Sequence, residues 1–236
     1  MISAFQQNIK NALAHRKQIA IPTFGKYLIA IALGTIALLA VAVVIAPENE
    51  PERYFVREGG MVTYISAVFL GLAAIFSGVC FKLSRGRTDF LRFFWLLTVV
   101  GFTFLFLDEL LRFHESTGRW MTPSVDVPEG FRRWDDIIVI LYGIVAVIAM
   151  AGFLPEILRY PRVAEMMAAA FTFYFIHTLI DATQEPRTTL SAILEESAKV
   201  FCAEYLAISM FIALLGIKAA AKLKGEKLNE ASHSKR

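Results

Sequence analysis

The sequence predicts an all-α fold: a polytopic membrane helix bundle of six transmembrane helices, both termini cytoplasmic, with a short interfacial helix before the first span. Three observations carry this reading. The 236 residues are 56% hydrophobic and include 20 Phe, too apolar for a soluble chain of that length. Six runs, at 27–46, 60–83, 90–112, 134–155, 164–185 and 191–217, reach the roughly 20 apolar residues that a helix needs to cross hydrocarbon. Charge is also sorted between the ends of these runs: 16 of the 24 basic residues, but only 5 of the 21 acids, fall on the side of the two termini. Cytoplasmic loops hold the excess of Lys and Arg. That side is therefore assigned to the cytoplasm of a bacterial inner membrane, and the acidic ends of spans three to six face outward.

Residues 1–25 form the first segment. Ile2, Phe5, Ile9 and Leu13 recur at helical spacing opposite Lys10, Arg16 and Lys17, the pattern of a helix lying in the interface before Pro22. No apolar h-region with a small-residue cleavage site precedes the first span, so a secretory signal is not expected and that span is retained. Residues 26–217 are the six-helix domain. Ala67, Gly71, Ala74 and Gly78 in the second span, and Gly143, Ala146, Ala149 and Gly152 in the fourth, predict faces on which helix backbones approach closely. Spans three and five are rich in aromatics that fill a core or face lipid. The connection at 116–133 holds Gly118, Pro123, Pro128 and Gly130 and is expected to be irregular. Trp120 and Trp134 suit an interface. Residues 218–236 form a basic tail suited to anionic lipid headgroups. The net charge of +3 conceals the separation of charge and gives no reason to expect nucleic acid as a partner. Cys80 and Cys202 fall at different depths, so no disulfide is expected between them. No internal repeat, P-loop, dinucleotide fingerprint or lipidation motif occurs.

The residues suited to chemistry gather at the acidic ends. On a continuous helix Asp108 and Glu115, seven positions apart, share a face, with Arg112 placed to pair with Asp108, Glu109 one step off that face, and His114 with Glu115 at the outer mouth. His177, Asp181 and Glu185 stack at four-residue intervals in span five. Glu195 and Glu196 each have Lys199 within helical ion-pair reach. Glu204 has no basic residue within a turn of its own helix. An ionised acid in the membrane interior costs on the order of 3 kcal/mol, so Glu204 is expected to be protonated or paired across helices. Asp135 and Asp136 open the fourth span and suit its positive helix terminus.

A metal-site reading takes His114, Glu115, His177, Asp181 and Glu196 as ligands. Two imidazoles among carboxylates favour iron or manganese over zinc, and the Glu-x-x-His pattern of carboxylate-bridged four-helix sites is absent. A metal-free site is the alternative.

The run Leu107–Asp108–Glu109 followed by His114–Glu115, with Leu194–Glu195–Glu196 opening the last span, resembles a loose group of uncharacterised bacterial multi-pass inner-membrane proteins. The resemblance covers spans three to six and implies no assigned reaction. Alkaline ceramidase-like membrane hydrolases combine His and Asp in a transmembrane zinc site, but their His-x-x-x-His element is missing here. Asp181 stands four residues after His177, and no residues are carried over from that comparison.

Three functions compete. The first is an enzyme acting on a lipid-soluble or interfacial substrate, with His177, Asp181 and Glu196 at the centre. His114 and Glu115 complete it from span three, Glu204 supports it from below, and a bound divalent metal activates water or oxygen. The second is a non-catalytic subunit or assembly factor with a membrane-protein partner or a second copy of itself. The third is a proton- or cation-coupled transporter using Glu204, His177 and Asp181, against which stands the lack of an inverted repeat.

Overall fold

The computed structural model describes residues 2–21, 25–46, 60–128, 131, 133–183 and 188–233. Among them the helices are α1 (Ile2–Gln18), α2 (Gly25–Ile45), α3 (Met61–Leu83), α4 (Phe93–Leu111), α5 (Phe113–Met121), α6 (Trp134–Gly152), α7 (Leu154–Leu158), α8 (Val163–Thr183) and α9 (Thr189–His233); a 3-10 turn at Phe90–Arg92 leads into α4. No strand occurs among the described residues. Six helices (α2, α3, α4 with its leading turn, α6, α8 and α9) are long and apolar enough to cross a membrane, the pattern of a multi-pass membrane protein. Glu185 and the connection at 47–59 lie outside the described residues.

Helix α9 is the spine, lying between α3 and α8, while α3 also packs along α4. The core at this junction includes Leu70, Ala73, Trp95, Phe102, Met210 and Ala213. The small-residue stripe of α3 serves as a packing face: a Cβ at Gly71 would stand 3.5 Å from the Phe106 ring, and one at Gly78 would stand 3.8 Å from Val99. The stripe of α6 does something else. A Cβ at Gly143 would fall 2.5 Å from the Tyr174 ring, but Gly152 faces open space, and Ala146 and Ala149 line a cavity. The Tyr174 hydroxyl donates to the Val139 carbonyl, so its ring occupies the α6–α8 crossing and holds the rest of α6 off the bundle. Small side chains there make room instead of contact.

Two further expectations are corrected. The 116–133 connection begins with a helix, α5, because Arg112 adopts left-handed backbone geometry (φ 58°, ψ 48°) and separates α4 from α5. Asp108 caps the new helix, accepting the His114 backbone N–H at 2.9 Å. Gly118 lets α5 reach the start of α6, since a Cβ there would stand 2.7 Å from the Asp135 nitrogen. Secondly, the fourth span stops at Gly152, short of 155, because Pro155 lies in the separate short helix α7. The tail expected at 218–236 is helical as far as His233, continuous with α9.

The basic end is closed by a buried ion pair. Glu156 of α7 is fully buried; Arg87 grips it with two nitrogens at 2.6 and 2.7 Å, and the Trp95 indole N–H donates to it at 2.9 Å. Arg87 also holds Asp89, at 2.8 and 3.0 Å. Burial works to raise the Asp89 pKa, but the hydrogen bonds and charge of Arg87 outweigh it and hold that carboxyl below its usual range. Helix α1 docks on α7 with Ala12 buried, the His15 ring edge-on to Tyr160 and Arg16 paired with Glu165 at 2.5 Å. The expected interfacial helix is thus fastened to the bundle. Helix α2 is held more lightly, burying only Thr35, Leu39 and Ala42.

Removing one partner of a buried pair leaves the other charge stranded. Glu156→Gln is therefore expected to destabilise the protein by about 3 kcal/mol, read as a lower midpoint of thermal unfolding in detergent. A Cβ at Gly216 would stand 2.8 Å from the buried Tyr160 ring, whereas one at Gly86 meets nothing within 4 Å. Gly216→Ala should cost about 1–3 kcal/mol through overpacking and Gly86→Ala should leave the midpoint unchanged in the same assay. Because the folded Asp89 pKa is depressed, its contribution to stability is present above the ordinary carboxylate range and is lost as pH falls through the folded value. Wild type should lose more stability on acidification than Asp89→Asn.

Candidate functional site

A cavity of about 460 Å³ runs between α3, α4, α6, α8 and α9, within the size range of small-molecule sites. Its wall on α4 extends from Phe94 to Glu109, about 22 Å at the helical rise. Leu70, Phe102, Ala146, Ala149, Met167 and Leu206 are among the apolar groups along it. The carboxylates, histidines and basic groups of the lining gather at the other end, where α4, α8 and α9 bring their acidic ends together. That convergence follows from the charge sorting in the sequence: helices that alternate in direction deliver their like-charged ends to one level.

At this head Lys199 sits between two carboxylates, 2.8 Å from Glu196 and 3.0 Å from Glu109. Glu109 also accepts the Ser66 hydroxyl at 2.7 Å. The bridge thereby links α3, α4 and α9. Beside it, Asp108 grips His114 twice, accepting the backbone N–H with one oxygen and contacting Nδ1 with the other at 2.8 Å. The imidazole consequently donates from Nδ1, and Nε2 is the acceptor; Nε2 makes no hydrogen bond among the described residues. Arg133, at the N-cap of α6, lies 3.1 Å from Asp135 and 3.6 Å from Asp136, and Asp136 accepts the Arg133 backbone N–H at 3.3 Å. The expected capping role of this pair is present, and Asp135 also lines the cavity.

Of the residues expected to act, His114, His177, Asp181 and Glu196 all line this cavity. His177 Nδ1 is buried without a hydrogen-bond partner, 4.0 Å from Glu195 Oε1. Glu115 and Glu204 do not line it. Glu115 lies beyond the Arg112 break and pairs with Arg119 at 3.1 Å; burial raises its pKa, against the opposing Arg119 charge. Glu204 is buried, with Thr35 of α2 as a polar neighbour. It lies towards α2 and is not part of the cavity lining. Asp108 pairs with His114 across the left-handed turn at Arg112.

The five expected metal ligands, His114, Glu115, His177, Asp181 and Glu196, do not form one coordination sphere. Among the described residues no three His, Cys, Asp or Glu side chains converge to hold an ion. The donor chemistry explains this: Asp108 engages His114 Nδ1, and the Lys199 ammonium occupies the space between Glu109 and Glu196. The described residues do not fit iron, manganese or zinc. Both cysteines are free, Cys80 buried in the core and Cys202 facing the cavity.

Sequence reasoning missed the centrality of Lys199 and Ser66. One signal was available: between Thr188 and Ile217, Lys199 is the only basic residue, and a lone cation in an apolar span calls for partners on neighbouring helices. No curated protein and no solved structure matches the chain. Residues 26–215, which hold all six spans down to the last turns of the apolar part of α9, match the family described as "Domain of unknown function (DUF8692)", and the chain belongs to that family.

Proposed function

We propose that this is a bacterial inner-membrane protein, both termini cytoplasmic, that holds a lipid-soluble amphiphile in the cavity and carries out proton-transfer chemistry on its head from the outward-facing side. The observation that carries the proposal is the joining of a long apolar cavity to an Asp–His pair at one end. An apolar cavity of such length suits a hydrocarbon chain, and the polar cluster lies where the head of that molecule would rest. Membrane lipids are then the source of the substrate. His114 serves as general base through Nε2, with Asp108 fixing the tautomer and ring orientation. Lys199, held between Glu109 and Glu196, fixes the two carboxylates in place at the head. No metal takes part in this reading. Orientation is supported by the Lys and Arg excess at the basic end.

Ala146→Phe, which fills the apolar part of the cavity without touching the head, is expected to reduce the amphiphile that co-purifies with the protein, quantified by mass spectrometry of extracted lipid, while the unfolding midpoint stays within a few degrees of wild type. If wild type carries no more lipid than this variant, the cavity is not a binding site. Incubated with a total lipid extract, wild type should convert one class of amphiphile, and His114→Gln should be slower by about 10²–10⁴-fold, the usual worth of a positioned base. Equal conversion by the two proteins would remove His114 from the chemistry. Single cysteines introduced at Ser124 and at Gly225 test the orientation: an impermeant thiol reagent applied to intact cells should label the first and spare the second.

A further inference from the structure

We infer that the head of the amphiphile is a cationic nitrogen, a protonated long-chain amine, and that carboxylate- and phosphate-headed lipids are discriminated against. The inference rests on the reading of the cavity as an amphiphile site and names the substrate class. Six carboxyl groups line its head, Asp108, Glu109, Asp135, Asp181, Glu195 and Glu196, against three basic residues, Arg112, Arg133 and Lys199.

The pairing within the head leaves the acids in surplus. Lys199 is shared by two carboxylates, Glu109 and Glu196, and Arg133 by Asp135 and Asp136. Asp108 faces an imidazole, a neutral donor unless protonated. Six carboxyl groups against three basic residues leave the described lining of the head with more acid than base. His177 Nδ1 adds a buried polar atom without a hydrogen-bond partner at the same level.

A ligand brought into such a head must supply positive charge and N–H donors. An ammonium does both, since it carries three donors and no acceptor. A carboxylate or phosphate would place like charge among the six carboxyls in a medium of low dielectric, where repulsion is weakly screened. An alcohol head is neutral and falls between. The chain, by contrast, contributes affinity through the apolar wall and is common to all three. Head charge alone should therefore set the order of affinity.

The test is binding of a primary alkyl amine, the alcohol and the carboxylic acid of the same chain length to purified full-length protein in nanodiscs of zwitterionic lipid, with Ala146→Phe as the control for partitioning into lipid. The expected result is at least tenfold tighter binding of the amine than of the acid, with the alcohol between them, and loss of the difference in Ala146→Phe. In Glu196→Gln and in Asp108→Asn the ratio of amine to alcohol affinity should fall towards one, a comparison that needs only that the variant still binds the alcohol. Equal or tighter binding of the acid overturns the inference while leaving the cavity reading intact. If none of the three binds wild type better than Ala146→Phe, the cavity reading falls as well.

Discussion

The arrangement depends on one requirement: charge taken out of water must meet charge of the opposite sign. Lys199 is the clearest case. Isolated in an apolar span it would be costly, but between Glu109 and Glu196 it becomes a cross-link from α9 to α4, extended to α3 through Ser66. Hydrophobicity cannot drive helices together where the surroundings are themselves apolar. The ionic bridge supplies at this end what the Arg87–Glu156 pair supplies at the opposite one. Between the two clamps the helices are left to meet by shape, closely along α3 and α4 and loosely along α6.

That looseness is what the cavity is made of. Tyr174 is wedged against Gly143 and bonded to the Val139 carbonyl, so α6 touches α8 at one crossing and stands away elsewhere. Small residues on a membrane helix permit close approach, but they do not compel it. Where a large ring sets the spacing, the same alanines become the lining of a void. The apolar depth and the charged head therefore have separate physical origins, one steric and one electrostatic.

Much of the fold was legible because hydrocarbon thickness and backbone hydrogen bonding leave few options to a chain of this composition. The six spans are within a few residues of the apolar runs, apart from α9, whose helix continues through Lys218, Lys222 and Lys224. The site was legible in outline only. Charge sorting brings His114, His177, Asp181 and Glu196 to one level, and all four line one cavity. What depended on local backbone was hidden: nothing in Arg112 announces a left-handed residue, yet that turn decides that Asp108 meets His114 and that Glu115 faces Arg119. Glu204 stands apart from the cavity for a different reason. It stands five residues after Lys199, about 140° around the helix, and so belongs to the face that meets α2.

Helix α9 has a further consequence. At 45 residues it is about 67 Å long, more than twice the ~30 Å of a bilayer core, so a stiff rod must stand clear of the headgroups. Its last turns are joined without a hinge to the turn that carries Lys199. A torque applied to the far tip would be transmitted along a single continuous backbone to the level of the Glu109–Lys199–Glu196 bridge, about nine turns away, with no flexible joint among the described residues to absorb it.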